Sequence, residues 1–213
     1  MTVSRSEHLL ALIRPVPVIP VIVIDDLEQA IPLAEALVEG GLTVLEITLR
    51  TSVALQAVRL IRDAVPGAVV GVGSVLNSFQ FQQALQAGAA FAVSPGTTEE
   101  LIAAANDQEL PWLPAAQTVS EMLRLRQAGY RFLKFFPAES SGGMSFLRSV
   151  AGPVSDMSFC PTGGIDAGKA ESYLKLPNVA CVGGSWMCSP EIIRTANWHS
   201  ISAQARAAQQ LRN

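Results

Sequence analysis

The sequence is poor in the residues that most often announce a function. It has only three cysteines, Cys160, Cys181 and Cys188, an odd number with no CxxC spacing. That argues against a disulfide framework and against a structural zinc site. Only two histidines occur, His8 and His199, near opposite ends of the chain, so a His/Cys metal cluster is not expected. Charged residues make up 15% of the 213 positions. The 15 Lys and Arg against 18 Asp and Glu leave a net charge of -3, scattered rather than striped. A nucleic-acid partner, which needs a basic face, is not expected. The longest apolar run, Val16 to Ile24, contains two prolines and falls far short of the ~20 residues that span a bilayer. No basic segment precedes an apolar one as in a secretory signal, which makes the cytoplasm the expected compartment. No GxGxxG follows the first apolar run, where a dinucleotide site would place it.

Lysine is scarce too. Of the 15 basic residues only Lys134, Lys169 and Lys175 are lysine. Arginine serves elsewhere as the surface cation, so a lysine here invites a chemical reason.

What is present is apolar and periodic. Hydrophobic residues make up 49% of the chain, enough for one well-packed domain spanning 1–213. Short runs rich in β-branched or aromatic residues recur at 17–24, 44–49, 68–72, 91–94, 111–114, 131–135, 158–161 and 179–183. Between them lie segments with apolar residues at i, i+3 and i+4, at 27–39, 53–65, 78–87, 99–107, 120–128, 144–151 and 167–176, with a last one at 202–211. The spacing is about that of a βα unit. Eight such units predict an α/β fold, a small (β/α)8 TIM barrel, with an extra N-terminal helix at 5–13.

In a barrel, catalytic residues gather at the C-terminal ends of strands and point inward. Along 44–50, Glu46, Thr48 and Arg50 share one parity, and Leu45, Ile47 and Leu49 the other. The apolar set faces the helices, which turns the polar set inward. A buried Glu46–Arg50 ion pair with only a structural role would explain the same pattern. Along 131–137, Lys134 stands among phenylalanines. Burial disfavours an ammonium, and a neutral amine can attack a carbonyl to form a Schiff base. A lysine snorkelling from a strand end is the bland alternative. Lys169 and Lys175, on a predicted helix with Glu171, read as surface residues. Gly163-Gly164 and Gly183-Gly184 follow the last two predicted strands, where barrels commonly bind phosphate. Glycines let backbone N–H groups approach an anion, a following helix N-terminus adds a favourable dipole, and Thr162 and Ser185 add hydroxyls.

The segments PVIPVIVI (17–24), LEITLRT (45–51), GVGSVLN (71–77), SPG (94–96), LKFFPAE (133–139), FCPTGGI (159–165) and GGSW (183–186) run in order over almost the whole chain. Through them the sequence resembles the 2-keto-3-deoxy-6-phosphogluconate (KDPG) aldolases, also described as 4-hydroxy-2-oxoglutarate aldolases. The resemblance implies a metal-independent class I pyruvate aldolase of the Entner-Doudoroff pathway, without cofactor, typically a homotrimer. It implies that Lys134 forms the Schiff base and Glu46 is the general acid/base. Arg50, Ser74, Pro95 and Phe136 would surround the pyruvyl part, and Thr162, Gly163, Gly164, Gly184 and Ser185 the phosphate. Two departures stand out. Ser74 replaces the family's usual threonine, and Pro114-Ala115-Ala116-Gln117-Thr118 lacks a glycine after the proline and a serine before the threonine.

Other readings remain open at this point. The galactonate epimer could be the preferred substrate. A phosphate-binding barrel of another reaction type would explain the glycine pairs but not Lys134. A non-catalytic oligomeric module with Trp112, Trp186 and Trp198 at a subunit surface would leave Glu46 and Arg50 unexplained.

Overall fold

The computed structural model describes residues 5–212. The predicted alternation is realised as parallel strands interleaved with helices. A first helix, α1 (Arg5–Ile13), precedes β1 (Val18–Ile22). There follow α2 (Ala30–Glu39), β2 (Val44–Thr48), α3 (Ala54–Ala64), β3 (Val69–Gly73), α4 (Ser78–Gln86), β4 (Phe91–Val93) and α5 (Glu99–Asp107). Next come β5 (Trp112–Leu113), β6 (Ala115–Ala116), α6 (Val119–Gln127), β7 (Phe132–Phe135), α7 (Gly143–Val150), β8 (Ser158–Pro161) and α8 (Ala167–Leu174). The chain ends with β9 (Val182–Gly184), α9 (Pro190–Arg194) and α10 (Trp198–Gln209).

The α/β class and the parallel pairing agree with expectation, but the strands form two hydrogen-bonded sheets. A six-stranded sheet has the order β5-β4-β3-β2-β1-β9, and a three-stranded one the order β6-β7-β8. The break falls at Pro114, the last residue of the fifth predicted strand, and Ala115 and Ala116 continue beyond the prediction. Pro114 has no N–H to donate to a ladder. Trp112 and Leu113 therefore pair with β4, while Ala115 and Ala116 pair with Lys134 and Phe135 of β7. On the other side, isolated bridges join Phe159 to Val179 and Thr162 to Gly183.

Both faces of the sheets are apolar, as parallel strands flanked by crossover helices require. Every residue of β2 is buried, Glu46 included. Trp112 belongs to the core rather than to a surface: its ring meets Phe81 and Tyr130 edge-on, and its indole N–H donates to Ser94 Oγ at 2.8 Å. Trp186 and Trp198 are half-buried against the same core. The helices begin on side-chain caps at Asn77, Thr98, Thr118, Asp166 and Asn197. Asn197 starts α10 at Trp198, four residues before the predicted start. The stretch 190–198 is a short helix, α9, leading into α10. No described helix is long and apolar enough to cross a membrane.

Candidate active site

Two residues 88 positions apart in the sequence meet inside the fold. Lys134 Nζ lies 3.2 Å from Glu46 Oε1 and 3.5 Å from Oε2. Lys134 is 5% exposed and Glu46 3% exposed, so both charges are taken out of water together. The partner of Glu46 is therefore Lys134. Arg50 lies past the end of β2, in a turn that opens to solvent. Its Nε donates to Ser74 Oγ at 3.3 Å. The proposed structural Glu46–Arg50 pair does not form, because the strand ends at Thr48 and carries Arg50 up to the rim. Two threonine hydroxyls fix that rim: Thr48 Oγ1 donates to Ile22 O and Thr51 Oγ1 to Ile24 O, at 2.9 and 2.6 Å.

The strand geometry explains the meeting. β2 and β3 run in register with Glu46 beside Gly71 and Thr48 beside Gly73. A Cβ on Gly73 would overlap the Glu46 carboxylate, so the glycine is what gives that carboxylate its space. β7 and β8 pair Lys134 with Cys160. Cys160 and Cys181 are buried, and burial together with a hydrogen bond to Cys160 pushes the Cys181 thiol well up. Burial alone pushes Cys188 up to about 12. Cys181 and Cys188 are therefore poor nucleophiles.

Above this pair is a cavity of about 170 Å³ lined by Val21, Arg50, Phe136, Thr162, Ile165, the two glycine pairs and Ser185. Lys134 does not line it. Phe136 joins the two: its ring lines the cavity, and Nζ lies 5.6 Å from the ring centroid, a cation–π distance. The Phe136–Pro137 peptide bond is cis. Gly163 and Gly164 have φ of 104° and 76°, open to glycine and strained for other residues. Ser185 begins a short 3-10 helix and makes no capping bond with its own side chain.

The fold thus brings Lys134 and Glu46 together, and separately gathers Arg50, Phe136, Thr162, Gly163, Gly164, Gly184 and Ser185 around one cavity. Ser74 reaches it through Arg50 and holds φ of 59°, an uncommon backbone for a residue with a side chain. Pro95 lies elsewhere, in a groove of about 450 Å³ with Val75, Leu76, Thr97 and Leu101. The N-terminus of α8 offers less to an anion than the sequence suggested, because the Asp166 carboxylate already accepts from Lys169 N there. The altered segment after Pro114 keeps a regular course: Ala115 and Ala116 stay in strand pairing, and Gln117 Nε2 donates to Ser141 Oγ at 2.8 Å.

Sequence reasoning missed one group entirely. Glu139, inside the quoted LKFFPAE segment, forms an ion pair with Lys169 at 2.7 Å and accepts from the Tyr173 hydroxyl at 2.5 Å. Those two hydrogen bonds hold its carboxyl below the ordinary range. Lys169 is therefore not an idle surface lysine, whereas Lys175 pairs with Glu171 on an exposed helix face as expected. The scarcity of lysine was the available signal.

Comparison with known proteins decides the family. The family model described as KDPG and KHG aldolase matches residues 10–204. The chain belongs to this aldolase family. It is 48% identical over 192 residues to the 2-dehydro-3-deoxy-phosphogluconate aldolase of Dickeya dadantii, covering 90% of each chain. Among solved structures, the KDPG aldolase of Legionella pneumophila, captured with pyruvate as a covalent carbinolamine, is 46% identical. The match has a TM-score of 0.92 and covers 94% of this chain and 98% of that one. The Zymomonas mobilis KDPG aldolase with 3-phosphoglycerate is 43% identical, with a TM-score of 0.92 and 97% of each chain covered. A KDPG aldolase site needs an amine for pyruvate and a cradle for phosphate, and this chain has a candidate for each.

Proposed function

We propose that this chain is a class I aldolase that reversibly cleaves 2-keto-3-deoxy-6-phosphogluconate to pyruvate and glyceraldehyde 3-phosphate, as in the Entner-Doudoroff pathway. It would also split 4-hydroxy-2-oxoglutarate to pyruvate and glyoxylate. The observation that carries this reading is the buried Lys134–Glu46 contact at 3.2 Å, next to a cavity rimmed by arginine and two glycine pairs.

The chemistry follows from those groups. Lys134 transfers a proton to Glu46 and attacks the C2 carbonyl of the keto acid. Glu46 returns that proton to the carbinolamine hydroxyl, which leaves as water, and a cationic iminium remains. The Glu46 carboxylate then takes the C4 hydroxyl proton, the C3–C4 bond breaks and its electron pair enters the iminium to give an enamine. Glyceraldehyde 3-phosphate departs. Glu46 protonates the enamine at C3, and hydrolysis releases pyruvate. Arg50 holds the substrate carboxylate by a bidentate pair that lysine could not match. Ser74 and Phe136 complete the pyruvyl site, and Thr162, Gly163, Gly164, Gly184 and Ser185 take the phosphate. No cofactor enters this cycle.

The same reading extends to the architecture. The bridges from β8 to β9 and the continuity of β5 with β6 support closure of both sheets into one (β/α)8 barrel, a single domain over 1–213. Leu76, Phe79, Leu85, Val119 and Leu123 are exposed apolar residues contributed largely by α4 and α6. Such a surface supports a subunit contact, and with it the homotrimer. The absence of a described membrane-crossing helix is compatible with a cytoplasmic enzyme.

Borohydride reduction with pyruvate, followed by intact mass and peptide mapping, tests the reading. The expected result is one pyruvate adduct, on Lys134. Glu46→Gln should slow turnover by roughly 10²–10⁴-fold, the usual worth of a positioned acid/base, while the adduct persists. Lys134→Ala activity near wild type, or an adduct elsewhere, would overturn the assignment.

A further inference from the structure

We propose that Lys169, held in place by Glu139 and Tyr173, is a positioning residue for the anion loop, and that it sets the preference for phosphorylated over unphosphorylated substrates. The inference rests on the aldolase reading above and adds residues that do not touch substrate.

Five contacts carry it. Lys169 Nζ donates to Gly164 O at 3.1 Å and pairs with Glu139 Oε2 at 2.7 Å. Tyr173, on the same helix α8, donates its hydroxyl to Glu139 Oε1. The backbone N–H groups of Ala138 and Glu139 donate to Thr162 O and Gly163 O at 2.8 and 3.1 Å. The loop 162–164 is therefore held by the backbone after β7 along one stretch and by the Lys169 ammonium at its end. The packing is tight: a Cβ on Gly164 would lie 2.8–2.9 Å from Glu139 Cγ and Cβ. One on Gly143 would lie 3.0 Å from the Tyr173 hydroxyl.

The direction of one peptide links this network to the cavity. A trans peptide points its carbonyl and its N–H opposite ways. With Gly164 O bound by Lys169, the Ile165 N–H is turned away from the ammonium, and Ile165 is among the residues lining the cavity. A charge-assisted bond to the carbonyl also polarises the peptide and strengthens its N–H as a donor. Glu139 fixes the ammonium in that place and cancels its charge, so Lys169 directs the loop rather than binding the phosphate itself.

The experiment compares kcat and KM for 2-keto-3-deoxy-6-phosphogluconate and for 4-hydroxy-2-oxoglutarate in wild type, Lys169→Met, Lys169→Arg and Tyr173→Phe. Lys169→Met keeps the aliphatic stem and loses the donor. The expected result is a KM for the phosphorylated substrate raised about 10- to 100-fold, the size of one lost charged hydrogen bond, with kcat little changed. The KM for 4-hydroxy-2-oxoglutarate stays near wild type. Lys169→Arg restores most of the loss, and Tyr173→Phe, which removes a single hydroxyl, shows a smaller rise in the same KM. Equal losses for both substrates would make Lys169 merely structural, and no loss for either would return it to the surface. A folded wild type that cleaves neither substrate would defeat the aldolase reading itself, and this is established before the variants are compared.

Discussion

A glycine governs the reach of the Glu46 carboxylate. Any side chain at Gly73 would occupy the space of Glu46 Oε1, Cγ and Cδ. Gly73→Ala should therefore displace the carboxylate from Lys134 without deleting it. Misplacement of a reacting group by about 1 Å can cost ~10²-fold, and turnover should fall by about that factor. Gly152→Ala, where a Cβ meets nothing within 4 Å, serves as the control and should keep full activity. Single-turnover rates with circular dichroism as a check on folding decide the matter; wild-type rates in Gly73→Ala would show that Glu46 has room to spare. At this scale the sequence was informative because strand parity predicts which side chains point inward. Glu46 and Lys134 were legible for that reason. Their mutual contact was not, since parity says nothing about which strands face each other across an interior, and Arg50 stood as the nearer candidate partner.

Among the elements, α6 shows how local rules and long-range pairing combine. Thr118 and Glu121 form a reciprocal capping box: Thr118 Oγ1 accepts from Glu121 N, and Glu121 Oε2 accepts from Thr118 N and Gln117 N. Thr118→Ala should cost about 1 kcal/mol, which lowers Tm by roughly 2–4 °C in a domain of this size. The Glu121 carboxyl is pushed up by partial burial, and the bonds from Gln117, Thr118 N and Thr118 Oγ1 outweigh this and hold it below its ordinary value. Its folded value is thus lower than its unfolded one, so its contribution is full above the unfolded pKa of about 4.3 and disappears as pH falls through the folded value. The Tm advantage of wild type over Glu121→Gln should accordingly shrink below about pH 4 in a thermal melt series. A constant difference across that range would exclude the ionised carboxylate as its source. The elements themselves were largely legible, because caps and apolar periodicity are local. The continuation past Pro114 was not, since the predicted run 111–114 ends there and gives no sign that Ala115 and Ala116 form a further strand with a different neighbour. The start of α10 was missed for a related reason: Trp198 and His199 look like loop residues until Asn197 is recognised as a cap.

For the whole molecule, the apolar residues left outside the core bear on assembly. Phe79 is 65% exposed and Leu76 58%, unusual for large hydrophobic side chains on a chain with so large a core. On the proposed homotrimer, Phe79→Asp combined with Leu123→Asp should lower the mass measured by light scattering to that of one chain, with the fold retained. An unchanged trimer would move the contact to another face. Composition could not locate this surface, because the apolar residues of the patch fit the helical periodicity as well as core residues do.

The pairing of β1 with β9 sets a condition on biosynthesis. Val18, Ile19 and Pro20 find their partners in Val182, Gly183 and Gly184. Roughly 160 residues must therefore follow β1 out of the ribosome before that edge is covered, a wait of about ten to thirty seconds at ordinary elongation rates. Throughout it a Val-Ile strand stands open on one side, the kind of edge on which nascent chains stick to one another. Pro17, just before β1, turns its carbonyl to Val182 N on that side and has no N–H to donate there, so a stray strand has less to grip. The first proline of the longest apolar run in the sequence thus helps guard the chain during the interval before that edge is covered.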